Sequence, residues 1–171
     1  MIREYDERFA YFTPEKDAEY LRHAIEVSKR AITHGNHPFG AILVDIEGNI
    51  LMEQENIEMT ERDCTGHAET TLMRRASHAY DREFLWNCTL YTSCEPCCMC
   101  CGALYWGNVG RLVLGATEQD LLAVTGDNEL NPTMKSDCRD VLGRGQKDLV
   151  IVGPVDAVRE EALEVHRNYW N

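Results

Sequence analysis

The sequence has 171 residues, a length typical of one compact domain, and 44% of them are hydrophobic, enough for a packed core rather than a disordered chain. Its 17 basic and 29 acidic residues give a formal charge of −12, which disfavours electrostatic binding to nucleic acid or to an anionic membrane. The charged amino terminus has no apolar signal-peptide core, and no run reaches the roughly 18 apolar residues of a membrane span. We therefore expect a cytoplasmic protein with a single domain over residues 1–171.

The first half of the chain predicts a helix, a hairpin, a second helix and a strand. Thr13 is a suitable N-cap before a proline at the first helical position, and Gly35 supplies a stop, so an amphipathic helix is expected between them. The apolar runs 40–46 and 49–52 flank Gly48, a residue suited to a tight hairpin turn. A helical apolar face over 67–79 and a buried strand over 88–92 follow.

The second half alternates helices and strands. Pro96 is placed to open a helix that runs to about residue 106, and a strand over 111–115 precedes a helix from about residue 118. Short turn-rich pieces occupy 125–145, before a last strand at 149–152 and a last helix from 155 to about 169. Strands joined by helices predict an α/β fold, a three-layer α/β/α sandwich around a mixed, largely parallel sheet.

Two short motifs in this pattern point to a metal. Five of the eight cysteines lie at positions 94, 97, 98, 100 and 101, too close together for the cross-chain disulfides of small secreted domains. His67-Ala68-Glu69 and, thirty residues after the histidine (97 − 67), Pro96-Cys97 through Cys100 match the H-x-E and P-C-x-x-C signature of zinc-dependent base deaminases. The predicted zinc ligands are His67, Cys97 and Cys100.

The spacing of these residues predicts an open site. Cys97 and Cys100 are three positions apart, on one face of a helix, and three protein ligands leave one tetrahedral position for water. The helix N-terminus lowers the pKa of the Cys97 thiol and favours the thiolate. The side chains of His67 and Glu69 can both face one metal ion only if that ion lies over the open amino end of their helix. There Glu69 acts as a proton carrier and is not itself a ligand.

Two other interpretations of the cysteines remain open at this point. Cys94 can complete a closed structural zinc site as the fourth ligand. Alternatively, an iron–sulfur motif begins with Cys94, Cys97 and Cys100 and has Cys138 as a distant fourth ligand. The protein would then serve electron transfer or sensing and would not be an enzyme. That second interpretation gives no role to His67.

Beyond the metal motifs, the chain resembles the cytidine deaminase superfamily, in the branch that contains the guanine deaminases and the transfer-RNA adenosine deaminases. The stretches that carry the resemblance are His37 to Val44, Gly66 to Glu69, Leu90 to Cys100, Gly102-Ala103 and Tyr105-Trp106. The resemblance extends from Pro38 to Thr117 and looks most like the bacterial guanine deaminases. It implies a five-stranded sheet, a homodimer and hydrolytic removal of an exocyclic amino group from a nucleobase.

The resemblance also suggests residues that contact the substrate. Asn56 is similar to a loop asparagine that binds the base, and the side chain of Phe39 and the backbone N–H of Ala68 are expected to approach it. Asp120 resembles an aspartate that assists proton transfer. The pair Tyr169-Trp170 is expected either to cover the bound base, in the same or a neighbouring subunit, or to fill the core beneath the last helix.

The sequence therefore predicts a zinc aminohydrolase acting on a free nucleobase or a close heterocycle, with guanine as the first choice. Cytosine, isocytosine, a nucleoside or a triazine remain alternatives. The segment 118–145 matches poorly and carries extra residues around 125–129, and Cys98 stands where proline is usual in the second motif. A transfer-RNA substrate is disfavoured, because its phosphates require a basic surface that a chain of charge −12 lacks.

Overall fold

The computed structural model describes residues 1–170, in which helices alternate with strands. The strands are β1 (Gly40–Val44), β2 (Ile50–Glu55), β3 (Thr89–Cys94), β4 (Arg111–Ala116) and β5 (Val150–Val152). The α-helices are α1 (Pro14–Thr33), α2 (Glu58–Glu61), α3 (Ala68–Ala79), α4 (Arg82–Trp86), α5 (Cys98–Gly107), α6 (Glu118–Thr125), α7 (Cys138–Gly143) and α8 (Asp156–Glu164). A 3₁₀ turn, Glu7–Phe9, precedes them. None of these helices has the length and apolar character needed to cross a bilayer.

The strands form one five-stranded mixed sheet in the order β2-β1-β3-β4-β5. β1 runs antiparallel to β2 and to β3, whereas β3, β4 and β5 are parallel. The hairpin between β1 and β2 turns at Gly48, where φ is +92°, and the Asp45 carboxylate accepts hydrogen bonds from two backbone N–H groups of the turn. The predicted α/β class is confirmed, with the hairpin and the parallel strands where the sequence predicts them.

Helices cover both faces of the sheet, and the central strands β1, β3 and β4 are buried along their whole length. In β4, Leu112 and Leu114 pack against α3 and α5, while Val113 packs against α1 and α8. Each face thus has its own apolar core. The three-layer sandwich predicted from the alternation of elements is confirmed.

A buried ion pair joins α1 to the sheet. Two nitrogens of Arg111 donate to the two carboxylate oxygens of Asp17 at 2.9 and 2.6 Å, and the Tyr91 hydroxyl donates to the same carboxylate at 2.7 Å. All three residues are buried. This network fixes how α1 lies across β3 and β4.

Several boundaries differ from the sequence prediction. The helix expected to begin at Pro96 begins two residues later, because Cys97 has the extended backbone of an N-cap (φ −63°, ψ 171°). The last helix ends at Glu164, short of the expected residue 169, so that Tyr169 lies in a series of turns. The short helices α2, α4 and α7 are too brief to show an apolar period, and the sequence analysis does not find them.

Candidate metal centre and active-site pocket

His67 is held at the amino end of α3 by a tightly folded loop. It is the N-cap residue, with an extended backbone, and its carbonyl oxygen accepts from Thr71 N at 2.9 Å. A Cβ atom on Gly66 would lie 2.9 Å from the backbone nitrogen of Glu58, so only glycine allows the loop to pack this closely. The imidazole Nε2 lies 3.8 Å from the Glu58 carboxylate. Nδ1 is thereby left to face the cysteines.

The two cysteine ligands predicted from the second motif lie at the amino end of α5. Cys97 is its N-cap and Cys100 lies in its first turn, three residues after the cap. Cys97 Sγ is 3.5 Å and Cys100 Sγ 3.6 Å from His67 Nδ1. Hydrogen bonding from Cys100, followed by that from His67, lowers the pKa of the Cys97 thiol to about 4, which favours the thiolate form.

These distances fit a tetrahedral zinc ion. Zn–S bonds of about 2.3 Å and Zn–N bonds of about 2.0–2.1 Å separate a sulfur from a nitrogen ligand by about 3.6 Å. Both observed N···S separations agree with that value. His67, Cys97 and Cys100 place one donor atom each within 4.8 Å of one another, and in residues 1–170 no fourth protein donor joins this set. The donors therefore form an open, three-ligand site of the catalytic kind.

The alternatives based on Cys94 do not agree with the structure. Cys94 lies outside the ligand set, and its sulfur is 3.4 Å from His166 Nε2 between the sheet and α8. Cys138 is buried at the start of α7, where its backbone N–H donates to Glu95. A closed zinc site and an iron–sulfur site would both require Cys94 to join the other ligands.

Glu69 lies beside the metal donors as a buried, hydrogen-bonded carboxyl group. It is the second residue of α3 and only 5% exposed. The Thr92 hydroxyl donates to its Oε1 at 2.7 Å, and the Cys100 thiol lies 3.4 Å from its Oε2. Burial raises its pKa above the ordinary value of 4.5. A carboxyl group with a raised pKa next to a metal is suited to carry a proton in both directions.

The centre opens into a cavity of about 210 Å³ that is rich in carboxylates and has an apolar wall. Among residues 1–170, no lysine or arginine lines it. Its lining acids are Glu58, Glu69, Glu95 and Glu118. Its apolar lining residues are Phe39, Leu130, Pro132, Met134 and Trp170.

Three of these acids, Glu58, Glu95 and Glu118, are not found from the sequence. Glu118 is the first residue of α6 and lines the cavity, and burial raises its pKa to about 7. Glu95 accepts from Glu118 N at 3.0 Å and from Cys138 N at 2.8 Å, so one carboxylate binds the N-termini of α6 and α7. The sequence signal that could identify Glu118 is its position as an acid in the first turn of a helix, directly after the N-cap Thr117.

Asp120, which the sequence analysis proposes for proton transfer, does not line the cavity. Its carboxylate accepts from Thr117 N at 2.9 Å, completing a capping box, and from Arg159 Nε at 2.8 Å. Burial alone would raise its pKa, but the bonds from Arg159 and Thr117 outweigh burial and lower it to about 2. In this structure Asp120 joins α6 to α8 and has no contact with the reacting centre.

The other predicted substrate contacts divide into two groups. Phe39 and Trp170 line the cavity. Asn56 is buried and accepts from Glu58 N at 3.0 Å, and Ala68 is buried at the first position of α3. The Tyr169 hydroxyl donates to Asn36 O at 3.2 Å instead of entering the cavity. Asn56, Ala68 and Tyr169 are therefore not among the residues that line the cavity.

Trp170 closes one side of the cavity within its own chain. Its indole N–H donates to His166 Nδ1 at 3.2 Å, and its ring stacks on His37 with centroids 4.9 Å apart. Its carbonyl oxygen accepts from Asn128 Nδ2 at 2.7 Å. Trp170 thus lines one side of the cavity and packs on His37 and His166.

A three-layer mixed sheet that carries an open His-Cys-Cys zinc site beside a buried glutamate defines a zinc-dependent hydrolytic deaminase. Residues 14–116 match the sequence profile of the cytidine and deoxycytidylate deaminase zinc-binding region. The chain belongs to that family, and zinc is its cofactor.

Known relatives carry three different substrate names. A probable cytosine deaminase of Schizosaccharomyces pombe is 38% identical over 157 residues, which span 92% of this chain and 94% of that protein. A tRNA-specific adenosine deaminase of Haemophilus influenzae is 38% identical over 61% of this chain and 60% of its own length. A guanine deaminase of Bacillus subtilis is 38% identical over 59% of this chain and 65% of its own length. The last two matches span less than two thirds of those proteins.

A solved guanine deaminase from Nitrosomonas europaea has the same fold. It superposes with a TM-score of 0.72 over 88% of this chain and 82% of its own, at 24% identity. This likeness shows the fold, while the family profile and the sequence relatives define a deaminase of the cytidine deaminase superfamily.

Proposed function

We propose that this deaminase acts on a free nucleobase and that its preferred reaction is guanine plus water to xanthine plus ammonia. The observation that carries the proposal is the cavity beside Glu69, which is small, rich in carboxylates and free of lysine and arginine among the described residues. Its volume of about 210 Å³ is below the roughly 300–1,000 Å³ of sites for drug-sized ligands. A flat heterocycle that offers several N–H donors suits such a cavity.

Different residues of the chain perform different parts of the reaction. His67, Cys97 and Cys100 would hold the zinc ion, which when bound supplies a Lewis acid that acidifies the attacking water. Glu69 would take a proton from that water and deliver it to a ring nitrogen. It would then take the remaining proton from the hydroxyl group on the attacked carbon and deliver it to the amino group, which leaves as ammonia while the carbonyl bond forms. The hydrogen bond from Thr92 keeps the carboxyl group aimed at these positions.

The absence of lysine and arginine from the described cavity lining also bears on the charge of the substrate. A phosphate or another anion would meet the carboxylates of Glu58 and Glu118 without a compensating lysine or arginine. A transfer RNA or a nucleotide would need such contacts. The similarity to tRNA-specific deaminases therefore supports the deamination reaction more strongly than it supports transfer RNA as the substrate.

Cytosine is the second candidate. The relative named as a probable cytosine deaminase spans nearly the whole of both chains, including the segment 118–145 that the family profile does not reach. Isocytosine, a nucleoside and a triazine have less support. The apolar wall around Phe39 and Trp170 accepts any flat ring of suitable size.

Ammonia release from the purified zinc-loaded protein tests the proposal directly. Purine, pyrimidine, pterin and triazine bases and their nucleosides are compared at equal concentration. We expect the highest kcat/KM for guanine. A higher value for cytosine would replace guanine with the second candidate, and release only from nucleosides would reject a free base. Tight retention of transfer RNA in a low-salt gel shift would overturn the choice of a small substrate.

We also propose that the chain acts as one domain and as a homodimer in the cytoplasm. The resemblance to guanine deaminases suggests the dimer, and Trp106, 73% exposed on the apolar helix α5, is compatible with an interface. Light scattering coupled to size-exclusion chromatography gives the mass. A monomer at micromolar concentration would contradict this part of the proposal.

A further inference from the structure

One wall of the cavity is a turn that has no counterpart in the sequence resemblance. This turn, residues 128–134, is called the wall turn below. The Asn128 side chain accepts from Leu130 N at 2.9 Å and donates to Trp170 O at 2.7 Å, and its carbonyl oxygen accepts from Asn131 N at 3.1 Å. These bonds hold the wall turn against the segment that carries Trp170.

Asn131 lines the cavity from this turn, and its amide group has an unmet hydrogen bond. Its Nδ2 atom is buried and has no hydrogen-bond partner among residues 1–170. A buried donor without a partner is costly to a folded protein and is rare in native structures. A ligand in the cavity is one partner that would remove this cost.

The rest of the lining explains why a donor is needed here. The polar side chains of Glu58, Glu69 and Glu118 are acceptors when ionised. The Nδ1 atom of His37 is engaged with the Tyr169 hydroxyl at 3.1 Å. A ring carbonyl oxygen placed in this cavity would face carboxylates unless an N–H group pointed at it.

We propose that Asn131 is a specificity-determining residue whose side-chain amide donates a hydrogen bond to a ring carbonyl oxygen of the substrate. The inference rests on the proposed function in taking an oxo-purine as the ligand. It adds a contact that distinguishes an oxo-heterocycle from the same ring without the oxygen. Sites that bind a polar substrate group reject analogues that lack it far more strongly than apolar sites do.

The test is Asn131→Leu, which keeps a similar side-chain volume and removes the donor. Guanine is compared with 2-aminopurine, which has the same ring and the same amino group but no 6-oxo oxygen. We expect the KM for guanine to rise about 10–100-fold with kcat within about threefold, because the lost contact serves binding. The KM for 2-aminopurine should change less than about threefold, so that discrimination between the two bases is lost.

Leu130→Ala is the matched control, because Leu130 lines the same wall through apolar contact and is 66% exposed. It should affect both bases equally. If Asn131 is only an unsatisfied internal group, Asn131→Leu will raise the melting temperature and leave both KM values unchanged. That result, or an equal rise in KM for both bases, overturns the inference.

A binding measurement separates failure of the inference from failure of the proposed function. If the wild-type protein releases no ammonia from guanine, the proposed preference fails, and calorimetric binding of hypoxanthine and of purine then tests Asn131. Asn131→Leu should weaken hypoxanthine at least about tenfold and purine less than about twofold. Unchanged affinity for hypoxanthine, or no binding of it by the wild type, rejects the assigned contact.

Discussion

Replacing Glu95 by glutamine tests whether one buried carboxylate holds the variable wall of the pocket to the metal motif. Its two oxygens accept from the first residues of α6 and α7 at 3.0 and 2.8 Å. A glutamine oxygen can keep only one of these bonds, and its NH₂ group would face the other N–H. Losing one charge-assisted bond and leaving a buried donor unpaired costs about 2–3 kcal/mol.

Urea unfolding of the zinc-loaded protein measures this cost, and steady-state kinetics measure its effect on the site. We expect the unfolding free energy to fall by that amount and KM to rise several-fold, because α6 and α7 flank the wall turn. Zinc content should not change, since the ligands belong to other residues. Glu129→Gln is the control, because it removes an exposed carboxylate from the same segment and should change neither quantity.

Glu95 does not have this role if the unfolding free energy of Glu95→Gln is within about 0.5 kcal/mol of the wild-type value, the range of ordinary surface substitutions. Nor does it have this role if stability falls while KM stays constant. In that case the carboxylate stabilises the fold without positioning the pocket.

The remaining predictions concern the metal centre and two ion pairs. Glu69→Gln should retain zinc by elemental analysis and lose at least about 99% of turnover; comparable turnover would exclude it as the proton carrier. His67→Ala should lose zinc and unfold at a lower urea concentration, because ligation energy is part of folding energy; normal zinc content would reject the ligand assignment. The folded-state pKa of Asp120, about 2, is below its ordinary 3.8, so its stabilisation is complete above pH 4 and is lost as pH falls toward 2. Asp120→Asn should therefore cost about 1–2 kcal/mol throughout pH 5–8 by urea unfolding, and a cost that declines between pH 8 and 6 would contradict this. Asp17→Asn should cost about 3–5 kcal/mol, because it leaves the buried charge of Arg111 uncompensated, and a loss below about 1 kcal/mol would refute that.

The metal site was accessible to sequence analysis because local geometry determines it. His67 and Cys97 each occupy the N-cap of a helix that begins at the next residue. Residues near a helix start are close together regardless of what packs on the rest of the helix. The spacing within each motif therefore positions the donors of that motif, while the packing of α3 against α5 brings Glu69 and Cys100 together.

The choice between Glu118 and Asp120 required tertiary information. Both are acids in the first turn of α6, and the sequence offers no way to rank them by orientation. Arg159, on a helix far along the chain, draws Asp120 away by an ion pair, while Glu95 binds the backbone N–H of Glu118. Such long-range partners determine which of two neighbouring carboxyl groups faces the cavity.

The conformation of the wall turn could not be predicted from the sequence, for a different reason. Turns have no hydrophobic period, and its conformation depends on side-chain bonds such as the one from Asn128 to the carbonyl oxygen of Trp170. That bond joins residues 42 positions apart. Substrate contacts in this segment are therefore the least predictable part of the site.

Because the ligands lie at or near the N-caps of two helices, the metal centre tolerates substitutions further along those helices. The backbone angles at His67 and Cys97, the short loops before them and the packing of α3 against α5 set the metal geometry. Exposed positions further along the same helix, such as Arg74 and His78, can be exchanged without moving a ligand. A library randomised at such positions should preserve metal loading while altering solubility or association, which makes this scaffold suitable for engineering its outer surface independently of its chemistry.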